Sequence, residues 1–310
     1  MAQIGFVGLG KMGGSMVARI KRDSDHEVVV TDLDLETVEK AVGLGAESAE
    51  DLKDMVEKLA APRTIWIMIP AGDPTQHIVD QLAELLEPGD AIVDGGNSKW
   101  SDDVARASAL AERDIGYVDV GTSGGVWGLE VGYCMMVGGP SDAIARLAPF
   151  LDVLAPPHTD EHGPGWGHMG PTGSGHFVKM VHNGIEYGMM QAYAEGFDIF
   201  DKSDFELDNA KISHLWMQGS VIRSWLCELA ATAFEEEGNK LEELTAFTAD
   251  SGEGRWTIEA AMATDVPTPV LTSALNARFY TRGNGDFTGR VLSALRHQFG
   301  GHATQKHADG

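Results

Sequence analysis

A glycine-rich turn separates the first apolar run of the chain from its first helical pattern. Gly8, Gly10 and Gly13 form GxGxxG directly after the strand-like segment IGFV. Gly8 suits the tight turn, Gly10 lets the backbone approach a pyrophosphate, and Gly13 permits close packing of the helix that follows. The N–H groups at the start of that helix would hold the phosphates. The order of strand, glycines and helix predicts a dinucleotide-binding α/β fold.

An acidic residue ends the second apolar run, EVVVTD, about 20 residues further on. The carboxylate of Asp32 would accept hydrogen bonds from the adenosine ribose hydroxyls. Leu33 follows it and no arginine is near, so the site should repel a 2′-phosphate, which predicts NAD rather than NADP. The alternative is that Asp32 caps a helix starting near Leu35. The predicted cofactor contacts in this region are Gly8, Leu9, Gly10, Lys11, Met12, Gly13 and Asp32.

The N-terminal half alternates short β-rich runs with helical patterns, which predicts βαβ units and a parallel sheet. Such a sheet binds its ligand at the carboxyl ends of its strands. The stretch Pro156–Gly175 is rich in Gly, Pro and His and is predicted to be a connector, and a long helix should run from about His176 to Asp201. We therefore predict a Rossmann-type domain over residues 1–175 and an all-helical substrate and oligomerisation domain over residues 176–310.

The long helix should carry an unusual polar face. Five different functional groups recur at i, i+3, i+4, i+7 and i+8, in Lys179, His182, Asn183, Glu186 and Tyr187. The opposite face should anchor the helix in a core through Phe177, Val178, Met180, Val181 and Ile185. Either the polar face is a catalytic wall, or the helix is an ordinary amphipathic one with its polar side in water.

The net charge of −24 argues against binding to nucleic acid or to an anionic membrane surface, because both would be repelled. Residues 255–310 differ, with six basic and four acidic side chains, or +2. A phosphate or carboxylate substrate would explain this local excess, and so would surface salt bridges. The acidity elsewhere suggests adaptation to high salt, where charge repulsion is screened.

The chain enters an apolar strand at once, without a basic leader, and contains no apolar run of about 20 residues. We therefore expect a cytoplasmic protein. Cys134 and Cys227 lie far apart, without CxxC spacing. The histidines at positions 158, 162, 168 and 176 match no structural zinc pattern, so loop histidines and no metal are expected.

Four motifs give the chain a specific resemblance. They are DGGNS at residues 94–98, SGG at residues 123–125, KMVHNGIEY at residues 179–187 and RHQFGGH at residues 296–302. Together they resemble the decarboxylating 6-phosphogluconate dehydrogenase family, and the length of the chain resembles its short-form, NAD-preferring branch. The resemblance implies oxidation of 6-phosphogluconate to ribulose 5-phosphate and CO2 in the oxidative pentose phosphate pathway.

The resemblance also implies residue roles. Lys179 would be the general base and Glu186 the general acid. The sugar acid would be held by Asn97, which also contacts the cofactor, and by Ser123, Gly124, Gly125, His182 and Asn183. Tyr187 and Arg278 would hold the phosphate. In the family, the residues matching Arg296 and His302 reach a neighbouring subunit's site, which implies a homodimer or homotetramer.

One position departs from the family pattern. Long members carry a phosphate-binding lysine just before GTGKWT, whereas this chain has Ser251 in DSGEGRWT. Either Arg255 or a backbone N–H compensates, or the phosphate is held less tightly.

Two rival functions would share part of this pattern. A sibling β-hydroxyacid dehydrogenase, such as 3-hydroxyisobutyrate dehydrogenase, shares the glycine loop, the SGG loop and the catalytic lysine. A non-catalytic NAD-binding redox sensor would share the fold alone.

Overall fold

The computed structural model describes residues 1–157 and 163–300. The chain divides into two compact units, Met1–Met180 and Val181–Gly310. The boundary predicted after Gly175 stays a prediction. Within the described residues, no helix is both long enough and apolar enough to cross a membrane.

The first unit consists of alternating strands and helices. The strands are β1 (Gln3–Val7), β2 (Glu27–Thr31), β3 (Glu47–Ser48), β4 (Thr64–Ile67), β5 (Ala91–Asp94), β6 (Gly116–Ser123), β7 (Cys134–Gly138) and β8 (Trp166–Gly170). The helices are α1 (Lys11–Asp23), α2 (Leu35–Gly43), α3 (Leu52–Lys58), α4 (Asp73–Leu85), α5 (Trp100–Ala111), α6 (Gly128–Val131) and α7 (Ser141–Leu154), and α8 (Ser174–Lys202) begins here.

The strands form one sheet in the order β3-β2-β1-β4-β5-β6-β7-β8. Strands β1 to β6 pair in parallel, so their carboxyl ends lie along one edge. Apolar side chains cover both faces of the sheet. Phe6 stacks on Trp66 at 5.6 Å between ring centroids on one face, and Met55, Ile65 and Leu82 are buried on the other. The predicted Rossmann-type α/β fold is confirmed.

Two details of the sheet differ from the prediction. Strand β7 is antiparallel to β6, because residues 124–133 between them are too few for a parallel crossover, which needs about a dozen or more residues. The stretch Pro156–Gly175 is not only a connector, since it contains β8, which pairs in parallel with β7. Gly167 and Gly170 obscured this strand, because glycine weakens the strand pattern of a sequence.

The second unit is helical, as predicted. It comprises the rest of α8 with α9 (Asn209–Trp216), α10 (Trp225–Glu237), α11 (Glu253–Ala263), α12 (Pro269–Thr281) and α13 (Asp286–Gly300). Tyr187 of α8 packs with Ala274 and Leu275 of α12 in a small core.

Helix α8 has close to its predicted length, but its predicted apolar anchor is mostly wrong. Met180 is buried, whereas Phe177, Val178 and Ile185 are exposed. The polar side chains of His176 and Tyr187 are buried as well. Helical spacing identifies a face, but it does not say which face meets a neighbouring element.

Candidate active site

The glycine turn after β1 has the geometry of a phosphate loop. Gly8 has a φ of +95°, which favours glycine. A Cβ on Gly13 would overlap the Gly8 carbonyl oxygen, whereas Gly10 is exposed with open space beside it. Helix α1 begins at Lys11 without a side-chain cap among the described residues and without an acid in its first turn. Its first N–H groups and its dipole are therefore suited to an anion.

Asp32 follows β2 and braces this turn. Its Oδ2 accepts a hydrogen bond from the Leu9 N–H at 2.5 Å, and its Oδ1 accepts from the Asp34 N–H at 2.8 Å. The alternative that Asp32 caps the next helix is wrong, since Asp34 is the N-cap of α2 and accepts from the Glu36 N–H at 3.0 Å. Leu33 is fully exposed beside it. The glycine loop therefore fits the pyrophosphate of a dinucleotide, and the Asp32 carboxylate fits its adenosine part.

The DGGNS segment turns sharply after β5 around the buried carboxylate of Asp94. Its Oδ1 accepts from the Gly96 N–H at 3.0 Å, and its Oδ2 accepts from the Ser98 hydroxyl at 2.7 Å. The Arg106 guanidinium donates to the same Oδ2 at 3.2 Å. Asn97, between the two bonded residues, is exposed at the carboxyl edge of the sheet.

A buried ionic network lies behind this turn. The His176 Nδ1 is 2.7 Å from Asp103 Oδ2, and the Arg106 Nη1 is 3.7 Å from Asp103 Oδ1. Burial raises the pKa of Asp103 to about 6. Burial lowers the pKa of His176, but the charge and hydrogen bond of Asp103 outweigh that effect and raise it to about 9. His176 is therefore not a loop histidine.

Asp94, Asp103 and His176 present ligand atoms within 4.8 Å of one another. The Arg106 guanidinium already lies against both carboxylates, so a cation is built into this cluster. Of the other histidines considered, His168 contacts the Gly170 carbonyl at 2.8 Å, and His158 and His162 lie outside the described residues.

Strand β6 holds the start of α8. Asp119 accepts hydrogen bonds from the Gly173 N–H at 2.6 Å and the His176 N–H at 2.7 Å, so it satisfies donors at the helix N-terminus. Two residues along the strand, a Cβ on Gly121 would overlap the Cβ of Lys179. Lys179 therefore lies against β6 just before Ser123, and its side chain is half-buried.

The neighbourhood of Lys179 includes a thiol. Cys134 pairs with Ser123 across β6 and β7. Burial raises the pKa of the Cys134 thiol, and the positive charge of Lys179 acts in the opposite direction. Ser123 and Lys179, predicted from separate motifs, are thus brought into one region, with Gly124 and Gly125 continuing from the strand end.

In the second unit, the polar residues of α8 contact one another and α11. The His182 Nδ1 is 3.0 Å from Asn183 Oδ1 and 4.0 Å from Glu186 Oε2. The Asn183 Nδ2 donates to Glu253 Oε1 at 2.9 Å. Glu253 is only 5% exposed, and its Oε2 accepts from the Ser251 hydroxyl at 2.6 Å.

The predicted phosphate residues are also adjacent. The Arg278 guanidinium lies 3.6 Å from the centroid of the Tyr187 ring, a cation–π contact. It donates to the Ala249 carbonyl at 2.7 Å, and the Ser251 N–H donates to the Tyr187 hydroxyl at 3.4 Å. A cation, a phenol and a backbone N–H are therefore grouped at this place.

Arg255 has a different environment. Its guanidinium hydrogen-bonds Asp250 at 2.9 Å and lies 4.6 Å from the centroid of the Phe279 ring. Together with a second hydrogen bond from Arg282, this hydrogen bond lowers the pKa of Asp250 to about 2. Of the two possible substitutes for the family lysine, the Ser251 N–H donates to the Tyr187 hydroxyl, whereas the Arg255 guanidinium is paired with Asp250. Arg296 is exposed on α13, and His302 lies outside the described residues.

Two functional features were missed from the sequence. Glu253 lies inside the departing segment DSGEGRWT, where only Ser251 and Arg255 were considered. Gly121 lies two residues before the SGG motif, which is one repeat of a strand. A glycine inside a strand indicates that another backbone approaches closely. Both residues could have been noticed in the sequence, but the residues that they contact could not have been predicted from it.

The chain matches two family models. Residues 3–163 match the NAD binding domain of 6-phosphogluconate dehydrogenase, and residues 175–307 match the C-terminal domain of 6-phosphogluconate dehydrogenase. The predictions of an NAD-binding N-terminal domain and of a resemblance to this family are confirmed.

Named relatives agree. The chain is 43% identical, over 99% of its length and 100% of the relative's, to an NAD(+)-dependent, decarboxylating 6-phosphogluconate dehydrogenase of Haloferax volcanii. A solved structure of Plasmodium falciparum 6-phosphogluconate dehydrogenase is similar with a TM-score of 0.83 and 25% identity, over 99% of this chain and 67% of that one.

The fold is shared more widely. A Mycobacterium tuberculosis 3-hydroxyisobutyrate dehydrogenase is similar with a TM-score of 0.69 and 19% identity, over 92% of this chain and 94% of that one. That likeness concerns the fold alone. The two family models and the full-length relative decide between the groups, and the chain belongs to the 6-phosphogluconate dehydrogenase family.

Proposed function

We propose that the protein oxidatively decarboxylates 6-phosphogluconate to ribulose 5-phosphate and CO2 with reduction of NAD. The observation that carries this proposal is the placement of Lys179 against Gly121 at the end of β6, on the sheet whose carboxyl edge holds the glycine loop. A lysine held near the carboxyl end of β6, on the same sheet edge as the glycine loop, suits removal of a proton from a hydroxyl during hydride transfer.

The cofactor residues fit NAD. The turn from Gly8 to Gly13 and the first N–H groups of α1 would hold the pyrophosphate, Asp32 would hold the ribose hydroxyls, and Asn97 would contact the cofactor from the DGGNS turn. Bound NAD supplies the hydride acceptor. A 2′-phosphate would meet the carboxylate of Asp32 without a neighbouring arginine, which favours NAD.

Lys179 acts first as the base. It takes the proton of the 3-hydroxyl, which requires its neutral form, so burial and nearby positive charge must lower its pKa from the usual value of about 10.4. The 3-keto acid then loses CO2 when charge on the ketone oxygen is stabilised. Protonated Lys179 and Asn183, one helical turn along α8, would donate to that oxygen.

Glu186 completes the reaction. The enediol formed by decarboxylation needs a proton at C1, and Glu186 lies one turn beyond Asn183 on the same face of α8. The remaining roles are binding roles. Asn97, Ser123, Gly124, Gly125, His182 and Asn183 would hold the sugar acid, and Tyr187 with Arg278 and the Ser251 N–H would hold the phosphate.

We also propose a homodimer or homotetramer in the cytoplasm, working in high salt. Exposed apolar side chains on α8 and α13 support assembly, among them Ile185, Ile199, Phe287 and Leu292. Arg296 and His302 would complete a neighbouring subunit's site. The net charge of −24 and the likeness to a Haloferax volcanii protein support a saline habitat.

The test is NADH formation with 6-phosphogluconate in concentrated KCl, with CO2 measured in the same vessel. NADP and 3-hydroxyisobutyrate are run in parallel. Rapid NAD-dependent turnover with stoichiometric CO2 is the expected result. Activity on 3-hydroxyisobutyrate alone would move the protein to the sibling function, and NADH binding without turnover of either acid would favour a redox sensor.

A further inference from the structure

Glu253 is a buried acid of the second unit, and each of its carboxylate oxygens accepts a hydrogen bond from a side chain. Its Oε1 accepts from Asn183 and its Oε2 accepts from Ser251, at 2.9 and 2.6 Å. Burying an ionised carboxylate is costly unless hydrogen bonds satisfy it. The carboxylate is satisfied here by a residue of α8, which makes its position dependent on the geometry of that helix.

We infer that Glu253 is a positioning residue for the reaction proposed above, on which this inference rests: it sets the orientation of the Asn183 amide and, through it, the tautomer of His182. An ionised carboxylate only accepts hydrogen bonds, so the amide nitrogen of Asn183 must face Glu253. The amide oxygen is then turned to the opposite side, where it lies 3.0 Å from the His182 Nδ1.

The orientation of the Asn183 amide determines the tautomer of His182. Because the Asn183 Oδ1 only accepts, the His182 Nδ1 must carry a hydrogen. The same Nδ1 is 4.0 Å from Glu186 Oε2, so its N–H faces the carboxylate side of α8 and the Nε2 is left as an acceptor in the neutral ring. One buried acid thereby fixes which atoms donate in two residues proposed to hold the sugar acid.

A purely structural role is the competing explanation. Glu253 is the first residue of α11, and an acid in the first turn of a helix is favoured by the helix dipole. That role depends on charge near the helix end and not on contact with Asn183. The two explanations therefore rank conservative substitutions in opposite orders.

Glu253→Gln removes the charge but keeps the length of the side chain. Its amide oxygen can accept from Asn183 while its amide nitrogen donates to the Ser251 hydroxyl. Glu253→Asp keeps the charge at the start of α11 but shortens the side chain by one methylene, so the carboxylate is withdrawn from Asn183. Glu243→Gln, at an exposed acid of the same unit, is the control for loss of one charge.

The first readout is the tautomer of His182, followed by ¹⁵N NMR of histidine-labelled protein without substrate. The signal is identified by its loss in His182→Asn. Wild type, Glu253→Gln and Glu243→Gln should show the Nδ1–H form, and Glu253→Asp should show a substantial Nε2–H population. An unchanged tautomer in folded Glu253→Asp would overturn the inference.

The second readout is turnover of 6-phosphogluconate. Glu253→Asp should lower kcat/KM about 100-fold through misplacement of Asn183, and Glu253→Gln should stay within about threefold of wild type. The reverse order would assign Glu253 to the helix end. If wild type does not turn over this substrate, the proposed function fails while the tautomer result still decides the role of Glu253.

Discussion

Gly121 of β6 lies directly against Lys179 of α8, so that a Cβ added at residue 121 would overlap the lysine's own Cβ. The same added Cβ would approach the Gly175 carbonyl oxygen to 2.9 Å. The position of the proposed base therefore depends on the absence of a side chain in the strand beneath it.

Gly121→Ala should push the first turns of α8 away from the sheet. We expect a loss of about 1–3 kcal/mol in the free energy of unfolding, because a close-packed contact cannot accept an added methyl group. We also expect kcat to fall about 100-fold, because the proton acceptor is displaced. Denaturant unfolding and steady-state kinetics measure the two effects.

Gly116→Ala is the matched control on the same strand. Its added Cβ would lie 3.4 Å from the Ala91 Cβ, close to ordinary contact, and no catalytic residue is near. It should keep kcat. Equal losses of activity in the two variants would mean that β6, and not the placement of Lys179, is what Gly121 protects.

Lys179→Met should remove the base while preserving much of the side chain's volume. Loss of general-base catalysis should lower kcat about 1,000-fold, within the usual range for such groups. Binding of 6-phosphogluconate, followed by calorimetry, should change little. Substantial residual turnover would contradict the assignment of Lys179 as the base.

Substitutions at the end of β2 should shift the preference of the enzyme from NAD towards NADP. Asp32→Ala combined with Leu33→Arg replaces a repelling carboxylate with a cation that pairs with the 2′-phosphate, and the ratio of kcat/KM for NADP to NAD should rise at least about tenfold. Asp32→Ala alone should also weaken NAD, since Asp32 holds the Leu9 N–H at 2.5 Å. An unchanged ratio in the double variant would show that the adenosine end lies elsewhere.

The sequence predicted the elements whose signals are local. The glycine turn, Asp32 at the end of β2 and the length of α8 follow from turn chemistry, strand order and helical spacing within short windows. Contacts between side chains that are distant in the sequence could not be predicted. Asp103 and His176 are 73 residues apart, and Asn183 and Glu253 are 70 apart, so no periodicity links them.

The burial of α8 shows the same limit. Phe177, Val178 and Ile185 were expected to be buried because they are apolar, yet they are exposed, whereas the polar side chains of His176 and Tyr187 are buried. Each of these two is held by a partner from a distant part of the sequence, Asp103 for the imidazole and Ser251 for the phenol. A polar side chain can be buried once such a partner exists, and a single sequence does not reveal the partner.

Arg278 should contribute to binding of the phosphate rather than to the chemical step. Arg278→Ala should raise KM for 6-phosphogluconate about 10- to 100-fold, the effect of losing a charge-assisted hydrogen bond, with little change in KM for NAD. Gluconate, which lacks the phosphate, is the control substrate, and any turnover of it should be equal in the two proteins. An equal loss for both substrates would assign Arg278 to packing on Tyr187.

The ion pair of Asp103 and His176 should make stability depend on pH. The pKa of His176 is raised from its usual 6.5 to about 9, so the folded protein holds a proton that the unfolded chain releases between these values. The stability that this proton contributes is fully present below pH 6.5 and is lost as the pH rises through 9. The free energy of unfolding should therefore fall across this window, by about 3 kcal/mol at most.

Denaturant unfolding at fixed high salt, followed from pH 6 to pH 9.5, checks this with His176→Gln, which cannot titrate. The variant should be less stable than wild type at neutral pH and should approach it at the alkaline end, because wild type has then lost the charge of His176. His77→Gln, at an exposed histidine of the same unit, should keep the wild-type slope. Parallel curves for wild type and His176→Gln would mean that His176 is neutral in the folded protein and that Arg106 alone balances the buried carboxylates.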